Sequence, residues 1–325
     1  MIPFLDLQEQ FDKYVETNVF NNQPSELYAP VNYILSLGGK RLRPILLLMA
    51  YNLFEEKVEN ALPAAMAIEV FHNFSLIHDD IMDEAELRRG QQAVHKKFNT
   101  NDAILSGDVM LIYAYKYLSQ IKETQYLPEI YNAFNDNAIK VCEGQQMDVN
   151  FETRDDVSIS EYIKMIEYKT SVLIGVAMQI AALAANQHKI AAQHLYDFGR
   201  NMGIAFQIQD DILDAFGDPE KVGKKIGGDI IQNKKTFLYL KTLEKANQED
   251  VTTLTIWFSK KQENESAKVK AVKALFDKYD IKKMALAMMN EYKERAFHCL
   301  DQLEINSAKK EYIKKFSLNL VEREY

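Results

Sequence analysis

Glycine and proline are scarce in this sequence, and their placement constrains its fold more than any other feature. There are 12 glycines and 7 prolines among 325 residues, about half of the combined share of roughly 12% that is usual in proteins. Turns between strands use both residues, whereas helix interiors exclude them. Five of them lie between Gly217 and Gly228, and none follows Gly228. The sequence therefore predicts an all-α protein with long helices.

Apolar residues recur at helical spacing between these breaks. The pattern predicts roughly ten helices and no strand. The longer predicted helices span 64–82, 102–118, 131–147, 159–185, 191–215 and 235–246. No repeat, linker or change of composition divides the chain. We therefore predict one domain over 1–325, a single large helical bundle.

The composition excludes several classes of protein. The chain has 39 Lys and Arg against 47 Asp and Glu, a formal charge of −8, whereas general nucleic-acid binding needs a basic face. Cys142 and Cys299 are too few for a disulfide framework. The start, MIPFLDLQEQ, lacks the basic and apolar regions of a signal peptide. The longest apolar stretch, 172–185, is too short to span a bilayer, so we expect a buried helix, no transmembrane segment and a cytoplasmic location.

Two acidic triplets share one spacing, Asp-Asp-apolar-apolar-Asp, and each ends an apolar helical run. They are Asp79, Asp80 and Asp83 in LIHDDIMD, and Asp210, Asp211 and Asp214 in IQDDILD. Helix positions four apart are neighbours, so the first and last aspartates of a triplet share a face. Two carboxylates at that distance repel by roughly 3 kcal/mol at an effective dielectric of 20. One triplet alone is equally typical of a solvated acidic face, but two beside apolar residues favour bound cations.

The ligand types in these triplets indicate which cation. Oxygen-only, carboxylate-rich sites suit Mg²⁺, which is usually shared with substrate phosphates. No His or Cys stands at the spacing of a zinc site. The triplets therefore predict Mg²⁺ and, with it, an anionic substrate.

Basic residues near the triplets match such a substrate. Guanidinium forks bind phosphate oxygens bidentately, and lysine acts as a point charge. The candidates are Lys40 and Arg43 in GGKRLRP, Arg88 and Arg89 after the first triplet, Lys169 before an apolar run, and Lys224, Lys225 and Lys234 after the second triplet. Each pair alone is more typical of a solvated surface, but its nearness in sequence to the acidic triplets favours phosphate binding. The glycine-rich, lysine-bearing segment after Asp214 fits either a lid over a diphosphate or an ordinary loop.

The order of these motifs resembles the trans-isoprenyl diphosphate synthase family, which includes farnesyl and geranylgeranyl diphosphate synthases. The motifs run GGKRLRP, HNFSLIHDDIMDEAELRRG, GDVML, EGQQMD, EYKT and FQIQDDILDAFGDPEKVGKKIGGD. The resemblance implies one all-α bundle around a deep central cavity, usually a homodimer. It also implies head-to-tail condensation of isopentenyl diphosphate with an allylic diphosphate.

The resemblance implies a role for each matched residue. Three Mg²⁺ ions would bind the allylic diphosphate: Asp79 and Asp83 would hold two and Asp210 the third, with Asp80, Asp211 and Asp214 as ligands or water-mediated support. Isopentenyl diphosphate would be bound by Lys40, Arg43, His72 and Arg89. The allylic diphosphate would be bound by Arg88, Lys169, Lys234 and a loop lysine, Lys224 or else Lys225. Lys169, Thr170 and Gln207 would line the reacting carbons, while Gln145 and Asp148 match a weaker motif and fit the cavity lining.

Product length in the resembled family depends on the residues just before the first triplet. Phe74 and Ser75 stand five and four residues before Asp79, about one helical turn deeper. A single aromatic residue followed by a small one resembles the geranylgeranyl-forming members. We expect geranylgeranyl diphosphate first and farnesyl diphosphate second.

Two other functions remain open from the sequence. A terpene cyclase has the same fold, but its second metal motif usually differs and it has no use for an isopentenyl diphosphate site. A non-catalytic partner subunit or helical scaffold would tend to lose the aspartates, and this chain keeps all six.

Overall fold

The computed structural model of the chain describes residues 1–122, 124–218, 226–259 and 264–321, and nearly all of its regular structure is helical. The α-helices are α1 (Phe4–Thr17), α2 (Ser25–Ser36), α3 (Leu42–Asn52), α4 (Leu62–Met82), α5 (Val94–Lys97), α6 (Thr100–Leu118), α7 (Leu127–Thr153), α8 (Ile159–Ile166), α9 (Val172–Ala184), α10 (Lys189–Phe216), α11 (Gly228–Ile231), α12 (Phe237–Lys245), α13 (Gln248–Ser259), α14 (Glu265–Lys278), α15 (Ile281–Asp301) and α16 (Ser307–Val321). A 3₁₀ turn, Val58–Ala61, precedes α4, and a π turn, Glu167–Ser171, joins α8 to α9. The predicted all-α class is confirmed.

Two details of the prediction were wrong. The described residues form more than the ten helices expected. The short helices that follow turns show no apolar period in the sequence and were therefore not predicted. The described residues also hold one small antiparallel ladder, β1 (Leu87–Arg88) with β2 (Gln91–Gln92). Its two-residue loop is Arg89–Gly90, with φ of 53° and 75°, the backbone of a type I′ hairpin turn. Two-residue strands are too short to show an alternating pattern.

The chain folds into two compact units. The first comprises Met1–Asp136, Val176–Tyr196 and Leu303–Lys310; the second comprises Asn137–Gly175, Asp197–Gln302 and the chain from Glu311 onward. In the first unit, α4 packs on α3 and α6 and buries its apolar residues, such as Ile68 and Phe71. In the second, α12 packs on α8 and buries Phe237. A single domain over 1–325 stays a prediction.

The π turn in the second unit carries two of the residues predicted to be catalytic, Lys169 and Thr170. The hydroxyl of Ser171 donates to the carbonyl of Ile166, five residues earlier, at 3.2 Å. A Cβ atom on Gly144 of α7 would lie 2.2 Å from the backbone nitrogen of Lys169, so only glycine allows this approach. Because π turns are rare and often occur at functional sites, this local geometry supports a special role for the turn.

One helical run, Ile159–Ala184, is long and apolar enough to cross a membrane by length and composition. It includes 172–184, nearly all of the stretch that the sequence analysis considered too short to span a bilayer. However, 72% of its most apolar window is buried inside the protein. Most of this window therefore lies in the protein core, as the sequence analysis expected of 172–185.

Candidate active site

The first acidic triplet lies at the carboxyl end of α4, where the negative end of the helix dipole disfavours anions. Asp83 directly follows α4, and its backbone N–H donates to the carbonyl of Asp79 at 2.9 Å. Asp79 is partly exposed and Asp83 exposed. These two carboxylates therefore stand one turn apart at an unfavourable helix end, where a bound cation would stabilise them.

The middle aspartate of this triplet is bound inside the protein. The side chain of Asp80 is 0% exposed and forms an ion pair with Arg88. Nε of Arg88 donates to Oδ1 and Oδ2 of Asp80 at 3.0 and 3.1 Å, and Nη2 donates to Oδ1 as well. Burial alone would lower the pKa of Arg88, but its hydrogen bonds to Asp80 and the charges of all three aspartates outweigh that effect and raise the pKa. Asp80 thus fixes Arg88 beside the other two carboxylates.

Arg43 and His72, two of the residues predicted to bind isopentenyl diphosphate, lie together in the first unit. Nη1 of Arg43 is 3.1 Å from Nε2 of His72. A guanidinium can only donate, so Nε2 must accept and the ring is neutral, with its proton on Nδ1. Burial, followed by the charges of Arg43, Arg89, Arg88 and Arg41, holds the pKa of His72 well below 6.5. Burial also lowers the pKa of Arg43 to about 10, and its buried Nε has no hydrogen-bond partner.

The hairpin directs its two arginines, Arg88 and Arg89, to different partners. Arg89 adopts a positive φ of 53°, and its Nη1 donates to the carbonyl of Gly38 in the GGKRLRP loop. Arg89 therefore joins the loop that leads to Arg43, whereas Arg88 joins the acidic triplet. Lys40 is exposed in the same loop. The four residues predicted to bind isopentenyl diphosphate all belong to the first unit.

A buried ion pair that the sequence analysis missed supports this loop. Arg41 adopts φ of 47° just before α3, and its Nη1 lies 2.5 Å from Oε1 of Glu69 in α4, both side chains being almost wholly buried. Nη2 of Arg41 also donates to the carbonyl of Leu35 at 2.5 Å. Breaking such a pair usually costs 3–5 kcal/mol. The available signal was Glu69 itself, a charge inside the apolar run MAIEVF that needs a partner when buried.

The second triplet repeats this division near the end of α10. Asp210 is exposed and Asp214 partly exposed, whereas Asp211 is buried. Oδ2 of Asp211 accepts from the hydroxyl of Tyr162 at 2.5 Å and from the backbone N–H of Phe237 at 3.3 Å. Burial, then the charge of Asp229, raises the pKa of Asp211 well above 3.8. In both triplets the middle aspartate is held by protein groups and the outer two are more accessible.

Asp229, which the sequence analysis did not single out, lies beside the second triplet. Its backbone N–H donates to Oδ2 of Asp214 at 3.0 Å, and its carboxylate is 3.3 Å from Nζ of Lys234. Burial, then the charge of Asp229, raises the pKa of Asp214. Burial opposes the charge of Lys234, but Asp229 outweighs it and raises the pKa of that ammonium. The only signal in the sequence was the position of Asp229 directly after the two glycines of the GGD motif.

Lys169 projects from the π turn and forms an ion pair with Asp148 of α7, with Nζ 2.6 Å from Oδ2. Asp148, which the sequence analysis gave only a lining role, therefore holds a predicted catalytic lysine. Thr170 is partly exposed in the same turn, and Gln207 is partly exposed on α10, one turn before the second triplet. Lys224 and Lys225 lie outside the described residues.

The donor chemistry fits Mg²⁺, although the described part of the chain contains no group of three or more His, Cys, Asp and Glu side chains placed to hold a metal ion by themselves. Asp79 and Asp83, and likewise Asp210 and Asp214, are oxygen donors, the ligand type that Mg²⁺ prefers. Mg²⁺ commonly takes one or two carboxylates and completes its coordination with water and substrate phosphates. A pair of accessible carboxylates, unlike a closed cage of protein ligands, suits this mode of Mg²⁺ coordination.

The residues before the first triplet form an aromatic group on α4. The ring of Phe74 lies 5.5 Å from that of Phe71 and 4.9 Å from that of His78, between centroids. Nε2 of His78 is 3.1 Å from the carbonyl of Ile104 in α6, a structural role. The hydroxyl of Ser75 donates to the carbonyl of His72 at 2.8 Å. At this level of the helix, Phe74 therefore contributes a large side chain and Ser75 a small one.

Known proteins match this chain along most of its length. A family model described as polyprenyl synthetase matches residues 24–275. The chain is 40% identical over 230 residues to a geranylgeranyl diphosphate synthase of Methanosarcina mazei, covering 70% of this chain and 71% of that protein. It is 36% identical to a geranylfarnesyl diphosphate synthase of Natronomonas pharaonis, covering 93% of this chain and 92% of that one. A crystal structure of a geranylgeranyl pyrophosphate synthase superimposes with a TM-score of 0.94 at 44% identity, covering 100% of both chains.

The neutral state of His72 predicts a pH dependence of folding stability. Its folded pKa lies below 6.5, so as the pH falls through 6.5 the unfolded chain takes up a proton that the folded chain does not. The free energy of unfolding should therefore fall by about 1 kcal/mol between pH 7.5 and 5.5 on account of this residue. Denaturant titrations at both values should show the loss in the wild type and a smaller one in His72→Gln. His194→Gln is the matched control, and an equal loss in wild type and His72→Gln would contradict the neutral assignment.

Proposed function

Because the chain belongs to the polyprenyl synthetase family, and is thus a prenyltransferase that makes short-chain prenyl diphosphates, we propose that it condenses isopentenyl diphosphate with an allylic diphosphate head to tail in an Mg²⁺-dependent reaction. We further propose that the main product is geranylgeranyl diphosphate and that the enzyme works as a homodimer in the cytoplasm. The observation that carries the Mg²⁺ proposal is the shared division of the two acidic triplets into accessible outer aspartates and a buried middle one.

In this proposal the outer aspartates, Asp79, Asp83, Asp210 and Asp214, supply the Mg²⁺ ligands. Bound Mg²⁺ would stabilise the negative charge that grows on the diphosphate as the allylic C–O bond breaks. Asp80 and Asp211 act through their neighbours. Asp80 holds Arg88 ready for the diphosphate, and Asp211 ties α10 to Tyr162 and to the start of α12.

The first unit would bind isopentenyl diphosphate with fixed positive charges. The charges of Arg43 and Arg89 attract the diphosphate, and the Arg43 Nε that has no protein partner offers a donor for it. His72 is neutral because Arg43 donates to it, so its Nδ1–H is a second donor that adds no charge. Lys40, exposed in the same loop, adds a further positive charge. This set recognises an anion without requiring a proton transfer.

The second unit would hold the allylic diphosphate and the reacting carbon. Lys169, kept in place by Asp148, and Lys234, kept in place by Asp229, are both bound by carboxylates that a diphosphate can replace as partners. The dipoles of the π turn at Lys169 and Thr170, and of the Gln207 amide, would stabilise the allylic cation. A loop lysine, Lys224 or Lys225, completes the set.

The metal assignment predicts the effect of removing one outer aspartate from each triplet. Asp79→Ala and Asp210→Ala should each lower Mg²⁺-dependent condensation of dimethylallyl and isopentenyl diphosphates by at least about 100-fold, because charge on the leaving diphosphate loses its support. Asp136→Ala, at an exposed aspartate of α7, should keep wild-type turnover.

The same assay separates the alternatives when the products are treated with phosphatase and resolved. Linear prenyl alcohols support the synthase, whereas cyclic hydrocarbons would identify a terpene cyclase. A wild-type chain that binds a partner synthase without turnover would be a non-catalytic subunit. Near-normal activity in either alanine variant would refute the metal assignment.

The proposal of geranylgeranyl diphosphate rests on the aromatic group of α4. Phe74 is backed by Phe71, whose ring in turn meets that of Phe134 at 5.2 Å, so this side chain cannot easily turn aside. Ser75 is small and its hydroxyl is satisfied locally. A fixed aromatic ring at Phe74, followed by the small side chain of Ser75, supports a product of twenty carbons, longer than farnesyl.

Phe74→Ala should therefore lengthen the product, because removing the ring extends the space available to the growing chain. The expected change is a shift of the main product from twenty carbons to twenty-five or more, measured by chromatography of the dephosphorylated alcohols. Phe98→Ala, at a partly exposed phenylalanine of the same unit, is the control and should keep the wild-type distribution. An unchanged distribution in Phe74→Ala would place the chain-length limit elsewhere.

The homodimer proposal is supported by exposed apolar side chains on α6. Leu105 and Ile112 are 56% and 65% exposed and stand seven residues apart, hence on one face. Exposed apolar side chains grouped on one face are typical of interfaces. Analytical ultracentrifugation should give twice the 37.5 kDa of the chain, and Leu105→Glu should shift the protein towards monomer. Ile190→Glu, at an apolar residue of α10 that is 67% exposed, should leave the dimer intact; a monomeric wild type would contradict the proposal.

A further inference from the structure

Lys268 is a buried cation in the second unit, in a part of the chain where the sequence shows no motif. It lies on α14 and is only 1% exposed. Burying an ammonium is costly unless polar groups replace its water. Nζ donates to Oδ1 of Asn233 and, at 3.3 Å, to the carbonyl of Ile231. It also lies 5.0 Å from the centroid of the Phe258 ring, a cation–π contact.

Both polar acceptors belong to the segment that leads to Lys234. Ile231 is the last residue of α11, so its carbonyl has no partner within that helix. Asn233 adopts φ of 59°, a left-handed conformation that costs most residues energy but that asparagine tolerates. Lys268 therefore satisfies a helix end and holds the side chain of the residue directly before Lys234.

The next residue of α14 fixes the other end of the same segment. Gly227 has φ of 80°, and a Cβ atom there would lie 2.7 Å from Cγ2 of Val269. The backbone N–H of Lys234 donates to the carbonyl of Asp229 at 2.9 Å. The turn from Gly227 to Lys234 is thus bounded by consecutive residues of α14, Lys268 and Val269.

We propose that Lys268 is a positioning residue for Lys234. By binding the Ile231 carbonyl and the Asn233 side chain, it directs the Lys234 ammonium to the carboxylate of Asp229, which a diphosphate can replace as its partner. The inference rests on the proposed function, which makes Lys234 a ligand of the allylic diphosphate. This role would make α14, which follows the second acidic triplet in the sequence, a contributor to substrate binding.

A comparison of two Michaelis constants tests the role of Lys268. Lys268→Met keeps the length of the buried side chain but removes its hydrogen bonds and charge. We expect the KM for the allylic diphosphate to rise about tenfold, while the KM for isopentenyl diphosphate stays the same, because the arginines of the first unit are unchanged. Lys268→Arg, which can still donate to both acceptors, should recover most of the loss. Lys270→Met, at an exposed lysine of α14, should behave as wild type.

Hydrogen exchange supplies a readout that does not depend on turnover. In Lys268→Met the amides of 231–235 should exchange faster than in the wild type, while those of α12 should keep their protection. A general loss of stability would instead raise exchange throughout the unit. Faster exchange confined to 231–235 therefore supports a local positioning role.

Asn233→Gly gives an independent variant, because glycine accepts a positive φ but lacks the amide that Lys268 binds. It should raise the same KM, and the double variant Lys268→Met/Asn233→Gly should be no worse than either single one. If Lys268→Met does not fold, as judged by circular dichroism, Asn233→Gly carries the test.

The outcomes distinguish the inference from the function on which it rests. A wild-type chain without prenyl transfer would overturn the proposed function, and the exchange experiment would still decide whether Lys268 orders the segment. An active wild type with an unchanged allylic KM in Lys268→Met and in Asn233→Gly would overturn the positioning role. Additive losses in the double variant would also overturn it.

Discussion

The repulsion among carboxylates at the ends of two helices is the constraint on which the rest of the structure depends. Each triplet puts three aspartates near the carboxyl end of a helix, where both their mutual charge and the helix dipole oppose them. The protein removes the middle carboxylate of each triplet from this group by giving it a partner. Arg88 neutralises Asp80 by charge, and Tyr162 with the Phe237 N–H binds Asp211 by hydrogen bonds. What remains is a pair of accessible carboxylates in each unit, suited to a divalent cation.

The basic residues show a corresponding arrangement. Each cation has a protein partner that a diphosphate can replace or supplement. Lys169 and Lys234 are held by Asp148 and Asp229. Arg43 is held by a neutral histidine and so keeps its charge available. The Arg41–Glu69 pair is different, because both side chains are almost wholly buried and form an ion pair with each other. It supports the GGKRLRP loop from within the first unit.

The fold class and most of the long helices could be predicted from the sequence because apolar period and helix-breaking residues are local properties. The acidic and basic motifs could be found for the same reason, since helix geometry fixes which positions share a face. The partners of these groups could not be predicted. Asp80 and Arg88 are eight residues apart, but Tyr162 and Asp211 are separated by 49, and no local pattern joins them. The small hairpin was missed because its two-residue strands show no period.

The sequence by itself determined the chemistry: carboxylates at helical spacing, guanidinium and ammonium groups near them, and the order of motifs that marks the family. Only the tertiary structure decided which members of each motif are more accessible to solvent and which are buried against protein groups. The physical reason is that burial and partnership depend on packing between distant segments. Two aspartates adjacent in sequence, such as Asp79 and Asp80, differ only because α4 turns one of them towards Arg88. Lys268 is the extreme case, a lysine with no sequence signal that burial against Asn233 places in support of the site.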